Sequence, residues 1–63
     1  MSDLLPVTLE EEIICVRREI GMRERVYPQW VGKGRMKQDR ADREIEVMKS
    51  VLESLYRLKG LET

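Results

Sequence analysis

Apolar residues recur along this chain at alternating intervals of four and three, in two separate series. The first is Leu9, Ile13, Val16, Ile20 and Tyr27, with Arg23 where the next apolar residue would fall. The second is Ala41, Ile45, Met48, Leu52 and Leu55. That spacing places each series on one face of an α-helix, as in a heptad seam. Ile14 and Val26 broaden the first stripe; Val51 and Leu58, and more weakly Val47, broaden the second. The pattern predicts an all-α fold, an antiparallel helical hairpin with helices over about 8–27 and 37–59.

The boundaries follow from local chemistry. Thr8 with Glu11 three residues on forms a capping box, and Glu10 to Glu12 put negative charge where the helix dipole favours it. An extended lead-in over 1–7, containing Pro6, precedes it. Pro28 removes a backbone donor and disfavours helix at Tyr27, which predicts a stop near Arg25 to Tyr27. Gly60 is placed to end the second helix as a left-handed C′ residue, with Leu61 folding back on Tyr56. Pairs at i, i+4 support both helices: Glu19 with Arg23, Asp39 with Arg43, Glu53 with Arg57. Between the helices, 28–36 is expected to form an ordered turn, in which Pro28 could begin a short helical turn through Val31 ended by Gly32 or Gly34, with Trp30 closing the end of the hairpin. Gly21 marks either a close helix approach or a weak point.

A chain of 63 residues is one small domain. At this size a single core rarely supplies more than about 3–5 kcal/mol, so disulfides, a metal or a partner usually add to it. Cys15 is the only cysteine and there is no histidine, which removes intrachain disulfides and the common zinc sites. Oligomerisation is the remaining route, and a homodimer forming a four-helix bundle is expected. Helical hairpins of the ROP type assemble this way, an analogy of architecture and not of function.

Twelve basic and twelve acidic residues balance, giving no global preference for nucleic acid or membrane. No apolar run approaches the ~20 residues that span a bilayer, and the acidic N-terminal stretch is unlike a signal peptide. A cytoplasmic location is the expectation. Nucleophile–base catalysis lacks a histidine, and Ser2, Ser50 and Ser54 have no evident activating partner. Cys15 reads as a partly buried structural thiol, and Asp39, Asp42 and Glu46 as a solvated acidic face, not a cation site. Gly32-Lys33-Gly34-Arg35 matches neither a P-loop nor a dinucleotide fingerprint. No catalytic, metal or cofactor residue is assigned, and a non-enzymatic role is expected.

Charge is unevenly distributed. Residues 1–15 carry net −4, residues 16–43 net +5 and residues 44–63 net −1. A hairpin therefore gathers positive charge at its turn and negative charge at its open end. The candidate basic, aromatic tip comprises Tyr27, Trp30, Lys33, Arg35, Lys37 and Arg40. It could contact nucleic acid through phosphate pairing and stacking, present Trp, Tyr and Arg to a protein partner, or align two hairpins antiparallel. The candidate apolar interaction seam comprises Leu9, Ile13, Val16, Ile20, Ile45, Met48, Leu52 and Leu55.

Ile14-Cys15-Val16-Arg17-Arg18-Glu19, then Arg23-Glu24-Arg25-Val26-Tyr27-Pro28-Gln29-Trp30-Val31, then Gly34-Arg35-Met36, then Ala41-Asp42-Arg43-Glu44-Ile45-Glu46-Val47-Met48 resemble a family of small bacterial and prophage-encoded helical proteins of unknown function. Their shared pattern is Y-P-x-W-V, G-R-M and A-D-x-E-I-x-V-M. The matching runs fall within residues 14–48, and the resemblance implies a phage or mobile-element setting, with a host or phage protein or nucleic acid as partner. It assigns no functional residue.

Overall fold

The computed structural model describes residues 6–62. Two helices pack against each other as an antiparallel hairpin: α1 spans Leu9–Gly32 and α2 spans Gln38–Glu62. There is no strand among the described residues. Residues 1–5 of the expected lead-in lie outside the described residues, while Pro6 to Thr8 are non-helical as expected.

α1 starts where the capping chemistry demands. The Thr8 hydroxyl accepts from the Glu11 backbone N–H at 3.1 Å, and the Glu11 carboxylate accepts from the Thr8 N–H at 2.9 Å. Two donors that the first turn would otherwise leave unpaired are thereby satisfied.

The end of α1 departs from expectation. The helix continues through Pro28 to Gly32, so Tyr27 is helical, not extended, and the connection is 33–37 in place of 28–36. An interior proline costs a helix ~3 kcal/mol or more through a lost hydrogen bond and a steric clash. Packing on both sides of it offsets that cost: Tyr27 is buried, Trp30 lies on it with ring centroids 5.6 Å apart, and Val31 is half-buried. Pro28 itself is exposed. The stop comes instead at Gly34, whose φ of 73° is the only positive value among the described residues. Its N–H donates to the Val31 carbonyl at 3.0 Å and that of Arg35 to the Trp30 carbonyl at 2.8 Å. These two bonds define a Schellman motif. That motif was expected at Gly60, but Gly60 lies within α2, and Leu61 is 82% exposed instead of folded onto Tyr56.

The seam positions do turn inward. Ile13, Ile20, Tyr27 and Ala41 are buried; Leu9, Val16, Ile45, Met48, Leu52 and Leu55 are half-buried. Arg23 interrupts the seam because its guanidinium is paired twice, with Glu19 at 3.1 Å and across the hairpin with Glu44 at 3.7 Å. Glu24 with Lys49 at 3.2 Å and Glu10 with Lys59 at 3.6 Å complete a ladder that matches the antiparallel register. Each such partly exposed pair contributes at most about 1 kcal/mol, so the ladder selects alignment more than it adds stability. The Glu19–Arg23 pair was anticipated. Arg43 instead pairs with Glu46 at 3.3 Å, and Arg57 donates to the Ser54 hydroxyl at 3.4 Å, so the pairs expected with Asp39 and Glu53 are replaced.

The thinnest dimension of the molecule is 13 Å. A helix with its side chains is about 10–12 Å across, so the hairpin is a single layer. Domains ordinarily bury their apolar faces between two or more layers. Here both broad faces remain uncovered.

Candidate functional site

The single layer leaves large apolar side chains outside. Val47 is 47% exposed, Val51 41%, Leu58 52% and Ile14 60%. All four were expected to widen the buried stripes; they form exposed margins of those stripes. Cys15, expected to be partly buried, is exposed.

Two concavities lie at opposite ends of the hairpin. At the open end, Val7, Cys15 and Val16 of the first segment meet Val51 and Leu55 of α2 around an apolar groove, with Glu11 and Glu12 on its border. No basic residue lines it. At the turn end, Trp30, Arg35, Met36, Lys37 and Arg40 line a second concavity with three cations and no acid. Trp30 is 42% exposed and Met36 half-buried, so an apolar floor lies beneath the charges. Trp30 therefore belongs to an open surface and does not plug the end of the hairpin. Of the other expected tip residues, Tyr27 is in the core beneath Trp30, and Lys33 is exposed but outside the concavity.

The fold positions these groups through ordinary helix geometry. Tyr27 and Trp30 are three apart and so share a face. The Schellman turn then reverses the chain, bringing Arg35 back beside Trp30. α2 opens with the Ala41 N–H donating to the Lys37 carbonyl at 3.0 Å, which sets Lys37 and Arg40 at the rim of the same concavity.

A smaller depression on the other side of the hairpin joins Ile14 and Arg17 to Tyr56. Another runs along α2 between Arg43, Val47, Ser50 and Ser54. Among the described residues no group of three His, Cys, Asp or Glu could hold a metal ion. Asp39 accepts from the Arg40 N–H at 2.8 Å, Asp42 from the Gln38 amide at 2.9 Å and Glu46 from Arg43. No described helix is long and apolar enough to cross a membrane.

Sequence reasoning found the basic tip but missed the groove. The groove joins residues some 40 positions apart, and only the hairpin register brings Val51 and Leu55 beside Cys15 and Val16.

Compared with known proteins, the chain matches no family model, no curated protein and no solved structure.

Proposed function

We propose that this protein is a non-enzymatic structural or interaction protein that self-associates, or binds a partner protein, through the uncovered faces of its two amphipathic helices. One observation carries this reading: a single-layer hairpin only 13 Å thick that leaves Val47, Val51, Leu58, Ile14 and Tyr56 between 41% and 60% exposed. Burial of apolar surface is worth roughly 25 cal/mol per Å², and a chain of this size gains most of what it lacks by covering such faces with another chain. The likeness to prophage-encoded helical proteins supports a phage or mobile-element setting for that assembly. Sedimentation equilibrium between 1 and 200 μM tests the self-association arm, and cross-linking to a co-expressed neighbour tests the partner arm. A chain that stays monomeric, melts cooperatively and captures no neighbour would remove this reading.

A second reading rests on the turn end, where Trp30 lies among Arg35, Lys37 and Arg40. There the protein acts as a nucleic-acid-binding accessory, with cations on phosphates and the indole stacking on a base. Titration of a labelled oligonucleotide at 50 and 200 mM salt tests it. Binding that falls steeply with salt and weakens in Arg35→Ala supports the reading, and absence of binding at 50 mM removes it.

A further inference from the structure

We infer that the hairpin pairs with a second copy of itself head to tail about a two-fold axis, the turn end of each copy seated on the open-end groove of the other. The inference rests on the self-association reading above and adds its polarity, its face and its contacts.

The two concavities share one face. Glu12 and Trp30 are eighteen residues apart, five full turns at 3.6 residues per turn. Arg40 and Leu58 on α2 have the same separation. Val16 and Val51, which line the groove, lie close to those two directions, so groove and tip look out from the same side of the slab. Between them, at mid-length, stand the Arg23–Glu44 pair and the exposed Val47.

The two concavities are also complementary. The groove is apolar with a border of two carboxylates and no cation. The tip presents one large half-exposed aromatic ring, Trp30, flanked by three cations and no acid. A two-fold axis through mid-length superimposes each on the other twice, because an isologous contact repeats every interaction. The turn end with Trp30 then lies over the groove of Val16 and Val51, and Lys37 and Arg40 come to the end of the slab that carries Glu11 and Glu12. A parallel dimer through this face would instead set cations against cations and carboxylates against carboxylates, which is unfavourable.

Charge reversal with complementation tests the inference. Glu12→Lys cancels the net charge of the groove border and leaves the Thr8–Glu11 capping box intact; Arg40→Glu lowers the tip from three net positive charges to one. Each variant alone weakens the charge complementarity at both contacts, and self-association should weaken by about tenfold, equivalent to ~1.4 kcal/mol. In a one-to-one mixture the heterodimer keeps one unaltered contact, and at the other the two reversed residues again carry opposite charges, so heterodimer affinity should exceed that of either variant alone and recover toward the wild-type value. Lys37→Glu serves as a second tip variant should Arg40→Glu lose its helical circular dichroism. A wild-type dimer with neither reversal weakening it overturns the head-to-tail arrangement while leaving self-association standing. Reversals that weaken the dimer without rescue on mixing also overturn it. A monomeric wild type overturns both.

Discussion

Tyr27 and Trp30 pack on each other with ring centroids 5.6 Å apart and planes tilted by 33°, one ring buried and the other 42% exposed. They flank Pro28, and this contact lets α1 run past a residue that would ordinarily end it. Tyr27 anchors the last full turn to the core, and Trp30 carries that anchoring to the surface, where it lines a concavity with Arg35, Lys37 and Arg40. The same pair thus serves the fold on one side and the interaction surface on the other.

Replacement of the two aromatics should separate these roles. Tyr27→Ala removes a buried ring, and such losses cost about 3–5 kcal/mol, so urea denaturation should find the chain largely unfolded. Trp30→Ala loses a tilted aromatic contact of roughly 0.5–1.5 kcal/mol and should stay folded, with any self-association weakened. Equal destabilisation by the two changes would contradict this division.

The glycines divide in the same way. Gly34 sits at φ 73°, where a Cβ is strained whatever the space around it. Gly34→Ala should cost about 1 kcal/mol. Gly21 lies inside α1 with open space where its Cβ would stand. Gly21→Ala should therefore stabilise by roughly 0.5–1 kcal/mol, raising the melting temperature, and it settles Gly21 as a weak point and not a close approach. The pair is checked by thermal melts in the same buffer.

Ala41 is only 2% exposed and lies three residues turnward of Glu44, as Val26 does of Arg23. Little room exists there for a longer side chain. Ala41→Leu should destabilise by about 1–3 kcal/mol through overpacking, measurable as a lower urea midpoint. An unchanged or raised midpoint would show that the helices are free to separate at this level.

How much of this was legible beforehand depends on range along the chain. The 4–3 spacing of Ile13, Val16 and Ile20, and of Ile45, Met48 and Leu52, was enough for the hairpin, because periodicity is a local property of each helix. Thr8 and Glu11 marked the start of α1 for the same reason. Pro28 misled because local propensity yields to tertiary packing, and the burial of Tyr27 is not visible in the residues beside it. Gly60 was expected as the left-handed stop and Gly32 or Gly34 only as the end of the turn; the positive φ belongs to Gly34, where the chain reverses at Arg35. The cations of the tip were apparent because they are close in sequence. The groove was not, since it exists only when Val51 and Leu55 are set against Cys15 and Val16.

Cys15 offers a native reporter of the assembly. It is exposed in the single hairpin and lines the groove. In a head-to-tail dimer it lies beneath the second copy's turn, so its alkylation by iodoacetamide should slow as protein concentration rises. Its sulfur would also stand about 20 Å from its counterpart at 1.5 Å per residue from the axis, far beyond disulfide reach. Mild oxidation should yield no disulfide-linked dimer. Rapid formation of one would place the two open ends together.

The most direct measurement is the mass of the protein in solution. Sedimentation equilibrium at micromolar concentration should give twice the 7.5 kDa of the single chain, with dissociation on dilution. A mass of one chain across the whole range, with a cooperative melt independent of concentration, would contradict an assembly built on the uncovered faces of the hairpin.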